Sequence, residues 1–222
     1  MSHLHIPDGV LPPWLWLGGW IAVLLLLWRV GRRPTARQIV TRATLGGWML
    51  AAMALPTGAL DFHLSLAGPV GILLGAAGGL EVAFTVNAIL AFVGHGGFTT
   101  VGLNALLSGA SAAVAALAYR LLAPRARPEW AMAGATGLGQ LVAGGLWLTV
   151  VLVAAHTAPA ARAAGHDALI VGVALPLWLA GTVAEAAVAW GIGRFIARVS
   201  PSLLPLAPVV GPWGADAEGD AA

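Results

Sequence analysis

Six histidines, nine acidic residues and no cysteine make up the metal-binding and acid–base repertoire of this 222-residue chain. Two of the histidines, His3 and His5, lie beside the amino terminus in MSHLHIPDG. An amine next to an imidazole is a metal-binding arrangement. The amine, one or more deprotonated backbone amides and Nδ1 form fused chelate rings in one plane, a geometry suited to Ni(II), Cu(II) and Co(II). A second histidine closes the plane, and the bland alternative is an ordinary solvated terminus. His63 follows Asp61 by two residues in LDFHLSL and is expected at a helix–water boundary. His95 sits in VGHGGFTTVGLN among Gly94, Gly96 and Gly97, ahead of Thr99, Thr100 and Asn104, which reads as a polar loop able to pack over a small ligand. Glu81 and Glu185 lie inside apolar segments, where an ionisable group is costly and marks either a functional site or a structural network. Glu185, near the middle of its segment, is expected deep in the protein and away from the histidines.

Other chemistry is excluded by what is missing. Without cysteine there are no disulfides, thiolate metal sites or cysteine nucleophiles, so any metal must be held by nitrogen and oxygen. The phosphate-cradling GxxxxGK[ST] loop is absent, so the chain does not hydrolyse ATP by itself. The HExxH motif is also absent, which counts against an intramembrane metalloenzyme.

The elements that must position these residues are membrane helices. The sequence is 59% hydrophobic and 9% charged, against roughly 25% charged in soluble domains. Apolar segments run over 14–30, 39–60, 64–77, 80–93, 102–122, 131–155 and 168–197. They are continuously apolar, which disfavours a β-barrel. The stretch 64–93 is too long for one span and just long enough for two, with Gly78-Gly79 as the expected turn. The start lacks a basic leader and a small-residue cleavage pattern, so the first segment is expected to be a retained helix.

Charge fixes the expected orientation. All eleven basic side chains are arginine, and with seven spans ten of them fall on one side, leaving only Arg162. Excess arginine marks the cytoplasmic side. The expected fold is an all-α polytopic bundle of about seven transmembrane helices in a prokaryotic cytoplasmic membrane, N-terminus outside and C-terminus inside. All six histidines then fall at the outer ends of helices. Residues 1–205 form the membrane domain, and 206–222 form a cytoplasmic tail without apolar periodicity, expected to be disordered. The arginines serve topology, with no sign of a nucleic-acid surface. Gly71, Gly75 and Gly79, and likewise Ala112 and Ala116, are spaced to share a helix face and to permit close packing within the chain.

HIPDGVLPPWLW resembles the N-terminal MHIPDG signature of the CbiM/NikM group, the substrate-specific membrane components of energy-coupling-factor transporters for cobalt and nickel. GHGGFTTVGLNAL is similar to that group's GHGGLTTLGAN stretch. The resemblance implies capture of Ni(II) or Co(II) as transported substrate, without a permanently bound cofactor. It also implies a transmembrane coupling subunit and a cytoplasmic ATPase pair as partners, with lipid around the helices. In that group the metal is held by the terminal amine, the second residue's backbone nitrogen and imidazole, and a histidine from a GTSGHLLG-like loop. Carried over, His5 matches the second-residue histidine and His63 the loop histidine, although Asp61-Phe62-His63-Leu64 stands where the group has Ser-Gly-His-Leu. His95, Asp8 and Asp61 would support the ligands.

The start departs from the signature, because Met1-Ser2-His3-Leu4 precedes His5. Loss of Met1 would make Ser2 the amine donor with His3 second. Retention of Met1 would make His3 third, and initiation at Leu4 would restore Met-His-Ile-Pro-Asp-Gly. In every case an imidazole lies within two residues of a free amine. A stand-alone membrane metal sensor is the remaining alternative.

Overall fold

In the computed structural model, residues 5–31, 33–55, 63–157 and 175–205 are described. His3, Asp61, Arg32, Arg162, His166, the amine of Met1 or Ser2 and the tail 206–222 lie outside them. The described residues form six α-helices and no strand: α1 Pro13–Val30, α2 Ala36–Ala54, α3 Ala67–Phe92, α4 Val101–Leu122, α5 Pro128–Thr157 and α6 Leu175–Val199, followed by a 3-10 turn at Pro201–Leu203. Helices α1, α3, α4, α5 and α6 are long and apolar enough to cross a membrane. The chain is a multi-pass helical membrane protein. In α2, Arg37, Gln38, Thr41 and Arg42 occupy the first two turns and lower its apolar character.

Local chemistry sets the ends. Pro13 opens α1 from Pro12, where a missing N–H costs nothing and the fixed φ suits the first turn. Thr35 and Gln38 close a capping box on α2: Gln38 N–H donates to Thr35 Oγ1 at 3.3 Å and Thr35 N–H to Gln38 Oε1 at 2.9 Å. Each satisfies a backbone donor that the helix leaves orphaned.

The stretch 64–93 departs from expectation. It forms one element broken at Gly75, whose φ of 75° and ψ of 170° are not helical. The turn therefore sits at Gly75 and not at Gly78-Gly79. A straight helix would separate Gly71 from Gly79 by about 12 Å, yet a Cβ placed on Gly79 would lie 3.2 Å from the Gly71 Cα and 2.7 Å from the Ala112 Cβ. The chain doubles back, and both legs pack against α4. The first leg, 67–74, rises about 12 Å, well short of the roughly 30 Å hydrocarbon core. Gly71 and Gly79 consequently do not share one helix face. They meet across the fold, with the α4 backbone at Ala112 pressed onto Gly71, which is close packing within the chain.

Helix α4 is the centre, against α3, α5 and α1. Its buried face runs from Val101 to Tyr119. One core joins Ile72, Tyr119, Met132, Ala189 and Ile196, and a second joins Met49, Met53, Val70, Val86 and Leu90. The bundle has two chemically distinct ends. Arg29, Arg120 and Arg198 lie in the last turns of α1, α4 and α6, and Arg37 and Arg42 in the first turns of α2. The opposite end carries His5, His63 and His95.

Candidate metal centre

The N-terminal arm reaches the bundle through hydrogen bonds that join the two sequence motifs to each other. The Asn104 side chain pairs with the backbone of Ile6: Ile6 N–H donates to Oδ1 at 2.8 Å, and Nδ2 donates to the Ile6 carbonyl at 3.1 Å. The Thr100 hydroxyl, a single donor, lies within hydrogen-bond reach of the Ile6 carbonyl and of Gly97 O, the latter at 3.1 Å. Ile6 itself is buried beside Leu11, Leu103 and Leu107. This buried, fully paired amide holds the arm in one register, since an unpaired partner there would cost about 1–3 kcal/mol.

Asp8 makes the second clamp. Its carboxylate accepts from Phe98 N–H at 2.9 Å, from Thr99 N–H at 2.8 Å and from the Thr99 hydroxyl. The Thr99 hydroxyl, with the two backbone donors, holds the Asp8 carboxyl below its ordinary value against the opposing effect of desolvation. Gly97 is required here, because any Cβ would collide with Asp8. Gly9, Gly94 and Gly96 take positive φ of 81°, 79° and 102°, a region costly for other residues.

These clamps place His5 against His95. Their ring centroids are 5.5 Å apart and edge-on, while His63 lies 4.8 Å from His95, also edge-on. Three histidines from sequence positions far apart therefore meet at one end of the bundle. Of the other three, His156 lies in the last turn of α5 with Nδ1 2.7 Å from Leu152 O, and His3 and His166 are outside the described residues. Among the described residues no group of three or more His, Asp or Glu forms a ready ligand set by itself.

A cavity of about 50 Å³ is lined by His5 and His63 together with Ser65, Ser111, Gln140 and Glu185. Glu185 does not lie apart from the histidines as its sequence position suggests: it lines the same cavity as His5 and His63, where the segment leading into the short first leg of α3 meets it. The carboxyl group accepts the backbone N–H of Ser65 and, at 3.3 Å, that of Leu66. Gln140 Nε2 donates to Ser65 Oγ at 2.6 Å. Glu81 has no part in this. It pairs with Arg42, both side chains about one-fifth exposed, at the arginine end.

No local pattern in the sequence marks Asn104, Thr100, Ser65 and Gln140 as holding the arm and the 63–66 segment. Asn104 was visible in the polar loop but reads there as a lid over a ligand. Gln140 is a lone amide in an apolar run, and the burial argument applied to Glu185 applies to it equally.

A helical bundle with a cavity lined in part by His5 and His63 and with arginines in the last turns of α1, α4 and α6 belongs among multi-pass membrane proteins. The profile of the family described as CbiM, cobalt uptake substrate-specific transmembrane region, matches residues 5–203, and the chain belongs to that family. It is 34% identical over 145 residues to the cobalt transport protein CbiM of Roseiflexus sp. (strain RS-1). That match takes in 57% of this chain and only 55% of the relative. The fold resembles a crystal structure of a transition metal transporter, with a TM-score of 0.64 and 17% identity over 88% of this chain and 93% of that one. It resembles a truncated transition metal transporter equally, at 0.64 and 18% identity over 87% of this chain and 98% of that one.

Proposed function

We propose that the chain captures Ni(II) or Co(II) on the outer side of a prokaryotic cytoplasmic membrane, as the substrate-binding component of an energy-coupling-factor transporter. The convergence of His5, His63 and His95 at the end of the bundle opposite the arginines supports this most directly. In this reading His5 and His63 supply imidazole nitrogens, and a terminal amine with a neighbouring amide completes a square plane; that amine is on residue 4 if His5 is the second residue, and on Met1 or Ser2 if His3 is the chelating histidine. His3 is the rival for the second-residue role, and single alanine variants of His3 and His5 decide between them. His95, edge-on to both rings, orients them, and Asp8 and Asp61 support the arm and the 60–64 segment. Fixed ligand orientation of this kind governs metal affinity.

Uptake would need a coupling subunit and a cytoplasmic ATPase pair, which agrees with the lack of a phosphate loop. The family's role is uptake, not catalysis. The test is metal content and affinity of the purified full chain together with its intact N-terminal mass. Stoichiometric Ni(II) or Co(II), lost in His63→Ala, supports capture. A wild-type chain that retains neither ion overturns it.

A further inference from the structure

We infer that Glu185 is a positioning residue for metal capture: it fixes the segment carrying His63 by holding the backbone of Ser65 and Leu66 from the middle of α6. The inference rests on the capture reading above. Four observations carry it. Glu185 is 4% exposed, so it is too costly to bury without a partner. Its partners are backbone N–H groups at the start of α3, two and three residues after His63, where a helix N-terminus favours an acidic group. Leu66 has a left-handed φ of 53°, a conformation that a leucine keeps only when its surroundings enforce it. Gln140 ties Ser65 from α5 as well, and its own backbone carbonyl accepts from Trp178 Nε1 at 3.1 Å.

The chain from Glu185 and Gln140 to Ser65 to His63 therefore joins the ligand segment to α5 and α6. On the other side the arm carrying His5 is fixed by α4. Metal geometry depends on both anchors being held at once, since ligand constellations tolerate displacements of only about 0.5 Å. Both carboxyl oxygens accept backbone N–H groups of the 63–66 segment, so Glu185 is assigned the support of that segment and not a ligand's role.

The experiment uses the full chain in detergent with its native N-terminus, titrated with Ni(II) chloride, following affinity and the ligand-field absorption of the bound ion. Glu185→Gln offers one acceptor oxygen and an NH2 group to two backbone donors, so one bond is lost. The expected result is a loss of affinity of about tenfold with a shifted ligand-field band, while Glu81→Gln binds as the wild type. A loss below fivefold, or a larger loss with an unshifted band, overturns the inference. If Glu185→Gln does not fold, Gln140→Met, which leaves Glu185 in place, is expected to weaken binding threefold with the same band shift. Wild-type binding by that variant is the contrary result. His63→Ala separates the two readings. If it binds as the wild type, the capture reading fails and this inference with it, whereas a weakened His63→Ala beside an unaffected Glu185→Gln removes this inference alone.

Discussion

The histidine end and the arginine end of the bundle each contain one membrane-embedded glutamate, and they compensate it in opposite ways. Glu81 meets a counter-ion, Arg42, from a neighbouring helix at a partly exposed position. Such a pair is worth roughly 0–1 kcal/mol and needs only approximate geometry. Glu185 meets no arginine among the described residues. Backbone N–H groups, Ser65 and Gln140 surround it, and those directional bonds hold one conformation of one segment. The arginine end is built for tolerance and the histidine end for position. A planar metal site requires position, and the difference shows why the two acids, alike in sequence, have unlike roles.

The largest effect that would break this comparison is one of sign. A reporter fused after Arg198 is expected to signal cytoplasm and one inserted at His166 to signal outside. Inverted signals would put the arginine end outside and undo the assignment. Next comes the arm. Asn104→Leu removes both Asn104 bonds to Ile6 and leaves its buried N–H unpaired while the carbonyl keeps the Thr100 hydroxyl, an expected cost of about 1–3 kcal/mol. Arm protection in hydrogen exchange should fall, and Ni(II) affinity should drop by about tenfold. Unchanged protection at residues 5–8 would show that the clamp is not what holds the arm.

A smaller effect is expected at low pH. Because the Asp8 carboxyl is held below its ordinary value of 3.8, its contribution to arm docking is full above that value. It is lost as pH falls through the lower docked-state value. Exchange at residues 5–8 should thus stay slow down to about pH 4 and accelerate below it, and Asp8→Asn should abolish this acid transition. The smallest effect is expected from Glu81→Gln, under about 1 kcal/mol in thermal unfolding with no change in metal affinity. A tenfold loss there would merge the two ends into one functional unit.

Much of this was legible in the residues themselves. Continuous apolar runs marked α1, α4 and α5 within three residues, whereas 39–60 runs past the end of α2 at Ala54 and the two spans expected over 64–93 form one broken element; HIPDG with GHGGFTTVGLN pointed to the family whose profile matches. The T-x-x-Q pattern at Thr35–Gln38 was passed over by the apolar segment 39–60, so α2 begins three residues earlier than that segment, at Ala36. The break at Gly75 was not legible, because glycines at 71, 75, 78 and 79 offer equivalent turns and only the contact of Gly71 and Gly79 with Ala112 selects among them. For the same reason the depth of Glu185 misled. Its distance from the histidines was read along a full-length span, while a short first leg of α3 brings Ser65 to it. That two motifs nearly a hundred residues apart bind each other through Asn104 and Asp8 is a tertiary fact with no local signature.

The central claim is that a chelating arm with a free amine meets His63 at the histidine end. It is tested most directly by titrating Ni(II) into the full chain with its native N-terminus and into the same chain carrying an N-terminal extension, with His156→Ala as control. The account predicts that the extension weakens binding by about a hundredfold, equivalent to about 2.7 kcal/mol, while His156→Ala binds as the native chain. Equal affinity with and without the extension would contradict it and return His3, His5 and the arm to a packed but chemically idle terminus.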